Sequence, residues 1–429
     1  MRSVYILICW LISIFSSGVY ANEISSQEHY YSLQECIEQG LQNHPKIKMY
    51  KYIRLQKEHK LDGTSGMRLP KLELMTSYDR VSYVAPAKKR YLNSSHDDYQ
   101  TKVVASAPLY NGGAISATQN AAELELGAVK QSLRQVKDEI VFDIKTAYFK
   151  LLYYQEILEA KKVLLRYAKK NYSTAKELNE RTKLPRKETL LRLQIQQNEV
   201  EQELLQAREN LSVAQKTLLN VMGMNLNRII KVKDIAIEFT GVKSESLSLQ
   251  NSPQLLKIGK EMMRAHQLVN VAKSDYYPTL SFYSSYGYEW AQIDSGKTDW
   301  VLGLRLSFDL WDWGIRKAKV NEAKTYTLEL KTYRDLIQRQ LDLDLKTANL
   351  NYESATRRYK IARVSYLKAK ESLNVYIARY RNSLVSTFEL LDAQKSFSKS
   401  QNNLSYCKLE TRLAKAKIEK LTGNIDEYK

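Results

Sequence analysis

The residues with the means to do chemistry are few, and their spacing suits none of the usual reactions. His29, His44, His59, His96 and His266 stand at no metal-binding spacing from one another or from a cysteine. The chain carries neither a phosphate-cradling Walker loop nor a nucleophile elbow. Met222 and Met224, like Met262 and Met263, read as packing residues rather than soft-metal ligands, which gives no support to copper or silver handling. Glu389 and Asp392, three residues apart, put two carboxylates on one face of a helix. These residues point to no catalytic constellation, no cofactor and no metal, and an enzyme is not expected.

The elements that would position such a pair are long helices. From Ile140 an apolar seam runs through Ile144, Ala147, Leu151, Tyr154 and Leu158 to Ala175, broken only by Lys161. Past Leu184-Pro185 it resumes from Leu190 to Val221, with Gln197 as the exception. The spacing averages about 3.5 residues, the coiled-coil period, rather than the ordinary helical 3.6 or so. The pattern then recurs about two hundred residues later in the same phase, from Leu345 to Tyr380 and from Leu390 to Leu421. Both copies stop at a glycine, Gly223 and Gly423, suited to a helix C-cap. The chain is a tandem duplication of a long helical hairpin.

An apolar run from Val4 to Phe15 follows Arg2 and ends in Val19-Tyr20-Ala21, the pattern of a secretory signal, so the mature chain is expected to start near Asn22. The run is too short to span a bilayer, and no later stretch holds about twenty continuous apolar residues. Any membrane crossing therefore uses strands. Losing Arg2 takes the net charge from +19 to +18. The basic residues are interleaved with acids along the helical arms, which reads as solvated helix faces rather than a nucleic-acid surface. Cys36 and Cys407 both fall on apolar helical positions and read as buried thiols.

Ser32 opens a helix that Asn43-His44-Pro45 interrupts, and Asn251-Ser252-Pro253 repeats that interruption. After each of Pro70 and Pro278 the period changes to two. Leu72, Leu74, Thr76 and Tyr78 share one side, as do Leu280, Phe282, Ser284, Tyr286, Tyr288 and Trp290. A polar loop follows in each half (85–98 and 292–299), then a second strand, Gln100 to Ala107 and Trp300 to Phe308. Strands of about nine to eleven residues with aromatics at their ends, here Trp290 and Trp300, suit an outer-membrane barrel. Four strands cannot close one, so several copies must share it.

The whole mature chain resembles the TolC-like outer-membrane efflux proteins. The resemblance rests on Ser32-Leu33 through His44-Pro45 with its echo at Ser252-Pro253, and on the strand starts Pro70-Lys71-Leu72 and Pro278-Thr279-Leu280. It rests also on the turn Pro108-Leu109-Tyr110-Asn111-Gly112-Gly113, and on Phe388-Glu389-Leu390-Leu391-Asp392-Ala393-Gln394. The second turn departs by placing Asp309 where the proline and Trp313 where a glycine would stand.

The resemblance implies a fold that is mainly α with a membrane β-barrel segment. Three identical chains share a twelve-stranded barrel that continues into a long α-helical coiled-coil barrel. It implies a passive exit duct in the outer membrane for tripartite efflux or type I secretion, worked with a periplasmic adaptor and an inner-membrane transporter. The layout it implies is a signal peptide (1–21), a first repeat (22–223, hairpin about 72–107, helices about 114–223) and an equatorial segment (224–250). A second repeat (251–423, hairpin about 280–308, helices about 315–423) and a tail (424–429) complete it. The helical tips, Thr182, Lys183, Leu184 and Pro185 with Asn382, Ser383, Leu384 and Val385, would dock the adaptor. Glu389, Asp392 and Tyr380 would form the periplasmic constriction, Thr189 and Arg192 standing at the matching places of the first half. The other readings of these residues are a structural coiled-coil protein of the periplasm or surface, and a basic binder of anionic polymers. The signal sequence opposes the second and the doubled strand pattern the first.

Overall fold

The computed structural model describes residues 30–84, 86, 89–90, 96–182, 187–234, 249–291, 296–382 and 384–422. The signal peptide, Lys183, Leu184, Pro185, Ser383 and Gly423 with the tail lie outside the described residues.

Strand β1 (Tyr30–Tyr31) leads into α1 (Leu33–Asn43) and α2 (Pro45–Gly66), then β2 (Lys71–Arg80), β3 (Asp97–Asn111), α3 (Ala114–Thr182) and α4 (Lys187–Val221). The second half follows with β4 (Lys231–Val232), a short turn of helix at Leu249–Asn251, α5 (Pro253–Ser274), β5 (Thr279–Trp290), β6 (Lys297–Ser307), α6 (Ile315–Arg381) and α7 (Thr387–Thr422). Ser32 caps α1 in a capping box with Glu35. Pro45 and Pro253 each sit in the first turn of their helix, where a missing N–H is harmless. Gly223 takes a φ of +67° behind α4, and a Cβ there would stand 3.0 Å from the Asn43 carbonyl oxygen.

Among the described residues two helices run the length of the molecule and five shorter ones pack on them. α2, α3, α5 and α6 lie side by side next to the sheet, and α4 and α7 take over as partners of α3 and α6 further out. Seam residues from Ile140 to Leu151 are buried, as are Leu193, Val200, Leu204 and Ala207 of α4. On α6 the buried positions Ala348, Ala355, Ala362 and Leu373 fall on the seam read from the sequence, opposite Leu390, Ala393 and Cys407 of α7. Lys161, the one break in the first seam, reaches across to Glu203 on α4 at 2.7 Å. Halfway along, Tyr148 is fully buried, and its hydroxyl proton is shared between the carbonyl oxygens of Tyr31 (3.2 Å) and Lys233 (2.7 Å). It thereby ties α3 to the parallel β1–β4 pair. Cys36 and Cys407 are free and buried, and burial pushes the Cys36 thiol up to about 12.

The sheet order is β2-β3-β5-β6, antiparallel throughout. β3 starts at Asp97 and β6 at Lys297, inside stretches read as loop, and β3 runs on to Asn111 through residues read as a turn. Pro108 stands opposite Ser281, a bulge after it leaves Leu109 without an opposite residue, and the ladder resumes at Tyr110 opposite Leu280.

Glu125 on α3 joins three helices near the sheet. Its carboxylate meets Lys57 (2.6 Å) and Lys60 (2.8 Å) of α2 and faces Arg264 of α5 at 3.9 Å. Burial would raise its pKa, but the two ammonium groups and the guanidinium outweigh that and hold it at about 2. A depressed folded-state pKa contributes stability above the unfolded value, and that contribution drains away as pH falls from about 4 to about 2. Glu125→Gln is expected to lose about 1–3 kcal/mol at neutral pH. The difference between variant and parent should vanish across that acid window in denaturant titrations.

Candidate functional site

The sheet has two chemically opposite faces. Residues paired across an antiparallel ladder point to the same side, so the register decides what each side carries. Leu72 pairs with Ala105, Ala105 with Ser284, and Ser284 with Leu302. The neighbouring row is Leu74, Val103, Tyr286 and Trp300. This face is apolar from one edge to the other, and Leu72, Leu74, Trp300, Leu302, Leu304 and Leu306 are all more than 60 % exposed. At its rim Tyr78, Tyr99 and Trp290 form a row, with ring centres 4.8 and 5.7 Å apart. Exposed apolar strands crossed by an aromatic band fit a lipid environment.

The opposite face carries the charges. Lys102 sits between Asp299 (3.4 Å) and Glu289 (4.0 Å), and Arg305 stacks over Tyr283 at 5.1 Å. Glycine is required on this face at Gly287, where a Cβ would come within 2.5 Å of the Thr101 carbonyl oxygen. The sheet ends in two long edges, β2 and β6, each with a single strand neighbour.

At the far end α6 stops at Arg381 and α7 starts at Thr387. The Glu389 carboxylate accepts from the Ser386 backbone N–H (2.7 Å) and hydroxyl (2.8 Å), while the Glu389 N–H donates to Ser386 Oγ (3.3 Å). This is a capping box on α7. The hydrogen bonds from Ser386 hold the Glu389 pKa below the usual range. Asp392, a turn further on, is exposed, and no hydrogen bond or ion pair involves it among the described residues. Tyr380 is half-buried against Leu373, Leu390 and Ala393, and its hydroxyl lies 3.3 Å from Thr387 Oγ1. Asn382 and Leu384 are exposed, Leu384 to 72 %, and Val385 is half-buried.

Sequence reasoning missed the polar tie above this tip. Gln394 of α7 is 2 % exposed, and its Oε1 accepts from Gln196 of α4 (3.2 Å) and Asn171 of α3 (3.4 Å). Further up, Glu156 of α3 accepts from Ser405 (2.5 Å) and Lys408 (3.1 Å) of α7, and buried Lys145 meets Glu419 at 2.5 Å. The two helical hairpins are thus fastened by polar pairs along the α3–α7 line. A glutamine directly after a seam alanine was the only signal in the sequence.

A sheet lipophilic on one face and charged on the other, carried on long coiled hairpins, defines a membrane conduit that crosses the bilayer with strands and continues as helices. The chain belongs to the outer membrane efflux protein family, whose profile matches it twice, over residues 36–224 and 246–424. No curated protein sequence matches it. Among solved structures it is similar to the CmeC outer membrane channel of Campylobacter jejuni, at 18 % identity over 92 % of this chain and 89 % of that one, with a TM-score of 0.80. VceC of Vibrio cholerae is similar at 18 % identity over 91 % of this chain and 96 % of that one, with a TM-score of 0.77. The open state of the Neisseria gonorrhoeae MtrE channel shares 15 % identity over 91 % of this chain and 88 % of that one, also at 0.77. At such identities the likeness is one of fold. The fold is TolC-like, family and fold are those of channel proteins, and the chain is an outer-membrane exit channel with a periplasmic helical part.

Proposed function

We propose that three copies of this channel close one barrel and one helical tunnel, which serves as the passive duct of a tripartite efflux or type I secretion system. The observation that carries the reading is the open sheet. Its edges β2 and β6 run in opposite directions and are 10 and 11 residues long, so β6 of one copy can pair antiparallel with β2 of the next. Unpaired edges of that length are a liability in any sheet and untenable in a bilayer. Closing three such sheets makes a barrel of twelve strands, above the minimum of about eight. The reading divides the chain into a signal peptide, two repeats joined by an equatorial segment, and a tail. No cofactor is needed, and lipid surrounds the barrel.

In this reading a periplasmic adaptor docks on the helical tips and an inner-membrane transporter supplies the drive. Leu384, exposed at the α6–α7 tip, has no packing role among the described residues that would explain a leucine there. Leu384→Asp, with Leu184→Asp as its counterpart in the first half, is expected to abolish transport while leaving the assembled size unchanged. Full transport by both variants would remove the docking role. Ions should cross planar bilayers holding the purified protein in discrete steps of one size, whereas graded leakage would contradict a closed duct.

A further inference from the structure

The two halves correspond element by element, and the second leaves uncovered what the first covers. α2 and α5 each span 22 residues and start on a proline, so Pro45 matches Pro253 and Gly66 matches Ser274. Gly112-Gly113 at the foot of β3 likewise matches Trp313-Gly314 beyond β6. Their φ angles are +61° and +84° in one turn and +56° and +88° in the other. The departure seen in the sequence therefore leaves the turn intact, with a tryptophan held in a conformation that suits glycine.

Inside one chain the first turn packs on the end of α5. A Cβ on Gly112 would come within 2.6 Å of the Ser274 carbonyl oxygen, and Ser274 is 5 % exposed. In the second half the turn offers Trp313, 88 % exposed, and the match for Ser274 is Gly66, exposed and with no atom within 4 Å of a Cβ built there. In the second half the glycine stands on the helix side, and because the close approach in the first half is to backbone of Ser274, a tryptophan in the turn must stand slightly further from Gly66 than Gly112 does from Ser274.

We propose that Trp313 seats on Gly66 of the partner subunit, the inter-subunit copy of the Gly112–Ser274 contact. The proposal rests on the reading of several copies around one barrel and adds its residue-level register. Neighbour order supports it. β3 pairs with β5 and α3 packs on α5, so the duplication places β6 and α6 against β2 and α2 of the next copy. A second contact obeys the same rule. The stem of Lys260 lies 3.5 Å from a Cβ built on Gly127, and the matching residues are Tyr52 and Leu328, 72 % and 63 % exposed. Two large apolar side chains left in water on opposite flanks of the molecule become partners once the next copy arrives.

Paired cysteines test the register. A Cβ on Gly112 would lie 3.2 Å from Ser274 Cα, so residues in the equivalent inter-subunit positions are within disulfide reach. Mild oxidation of Gly66→Cys/Trp313→Cys, and separately of Tyr52→Cys/Leu328→Cys, is expected to give covalent trimers on non-reducing denaturing gels. Each single variant should run as monomer. Native Cys36 and Cys407 are buried and take no part in the folded protein. Trp313→Gly is expected to keep the turn yet lower the temperature at which the trimer dissociates in detergent. Intact trimers with no cross-link in either pair would overturn the register and leave the duct reading standing; protein that is monomeric in detergent would overturn both. Should the cysteine variants fail to reach the membrane, an unchanged dissociation temperature for Trp313→Gly would overturn the contact by itself.

Discussion

Leu302→Arg is expected to keep the protein out of the outer membrane. Leu302 lies mid-strand on the apolar face, opposite Ser284, and is 65 % exposed in the single chain. An arginine at the bilayer midplane costs about 2–4 kcal/mol on a barrel's lipid face, and a trimer meets that cost at three places, for a total of about 6–12 kcal/mol. The adjacent Val301 pairs with Ser285 on the charged face, where water rather than lipid would receive the new side chain. Val301→Arg should therefore fractionate with outer membranes nearly as well as the parent. Exclusion of Val301→Arg with retention of Leu302→Arg would mean that the faces have been assigned the wrong way, and equal behaviour of the two that neither face is set against lipid.

Removing both tip carboxylates should change what the duct admits. In the proposed constriction a threefold axis gathers Glu389 and Asp392 into negative rings, which attract cations and repel anions despite the basic exterior. Glu389→Ala with Asp392→Ala is expected to lower cation selectivity in planar bilayers severalfold and to relieve block by multivalent cations. Glu389 also caps α7, so Glu389→Gln, which keeps an acceptor for Ser386, separates charge from capping. The hydrogen bonds from Ser386 lower the Glu389 pKa, whereas gathering like carboxylates around one axis acts in the opposite direction. Unchanged selectivity and block in the double alanine variant would place both residues away from the constriction.

The long helices were legible because a seam of about 3.5-residue period leaves little else for the chain to do. β5 and β6 were legible for the same reason at period two, since aromatic and leucine residues alternate with serine, glycine and charge. β3 was read short because Pro108 looks like a terminator, and only the register shows that the ladder resumes past it after a bulge. The Glu125 junction and the Gln394 tie were not legible. Each joins helices far apart in sequence through residues that look like ordinary solvated polar side chains. The acid pair at 389 and 392 was visible as a spacing, but its division of labour was not. That Glu389 is bound to Ser386 while Asp392 has no such partner among the described residues depends on where α7 begins. Trp313 was legible as standing in a glycine's place, but not that the tryptophan would keep the glycine's left-handed conformation.

Membrane fractionation followed by sizing in mild detergent tests the central claim most directly. The account predicts that the mature protein is recovered from outer membranes and migrates as a trimer, its edge strands paired between copies. Recovery as a soluble monomer from the periplasmic fraction would contradict it.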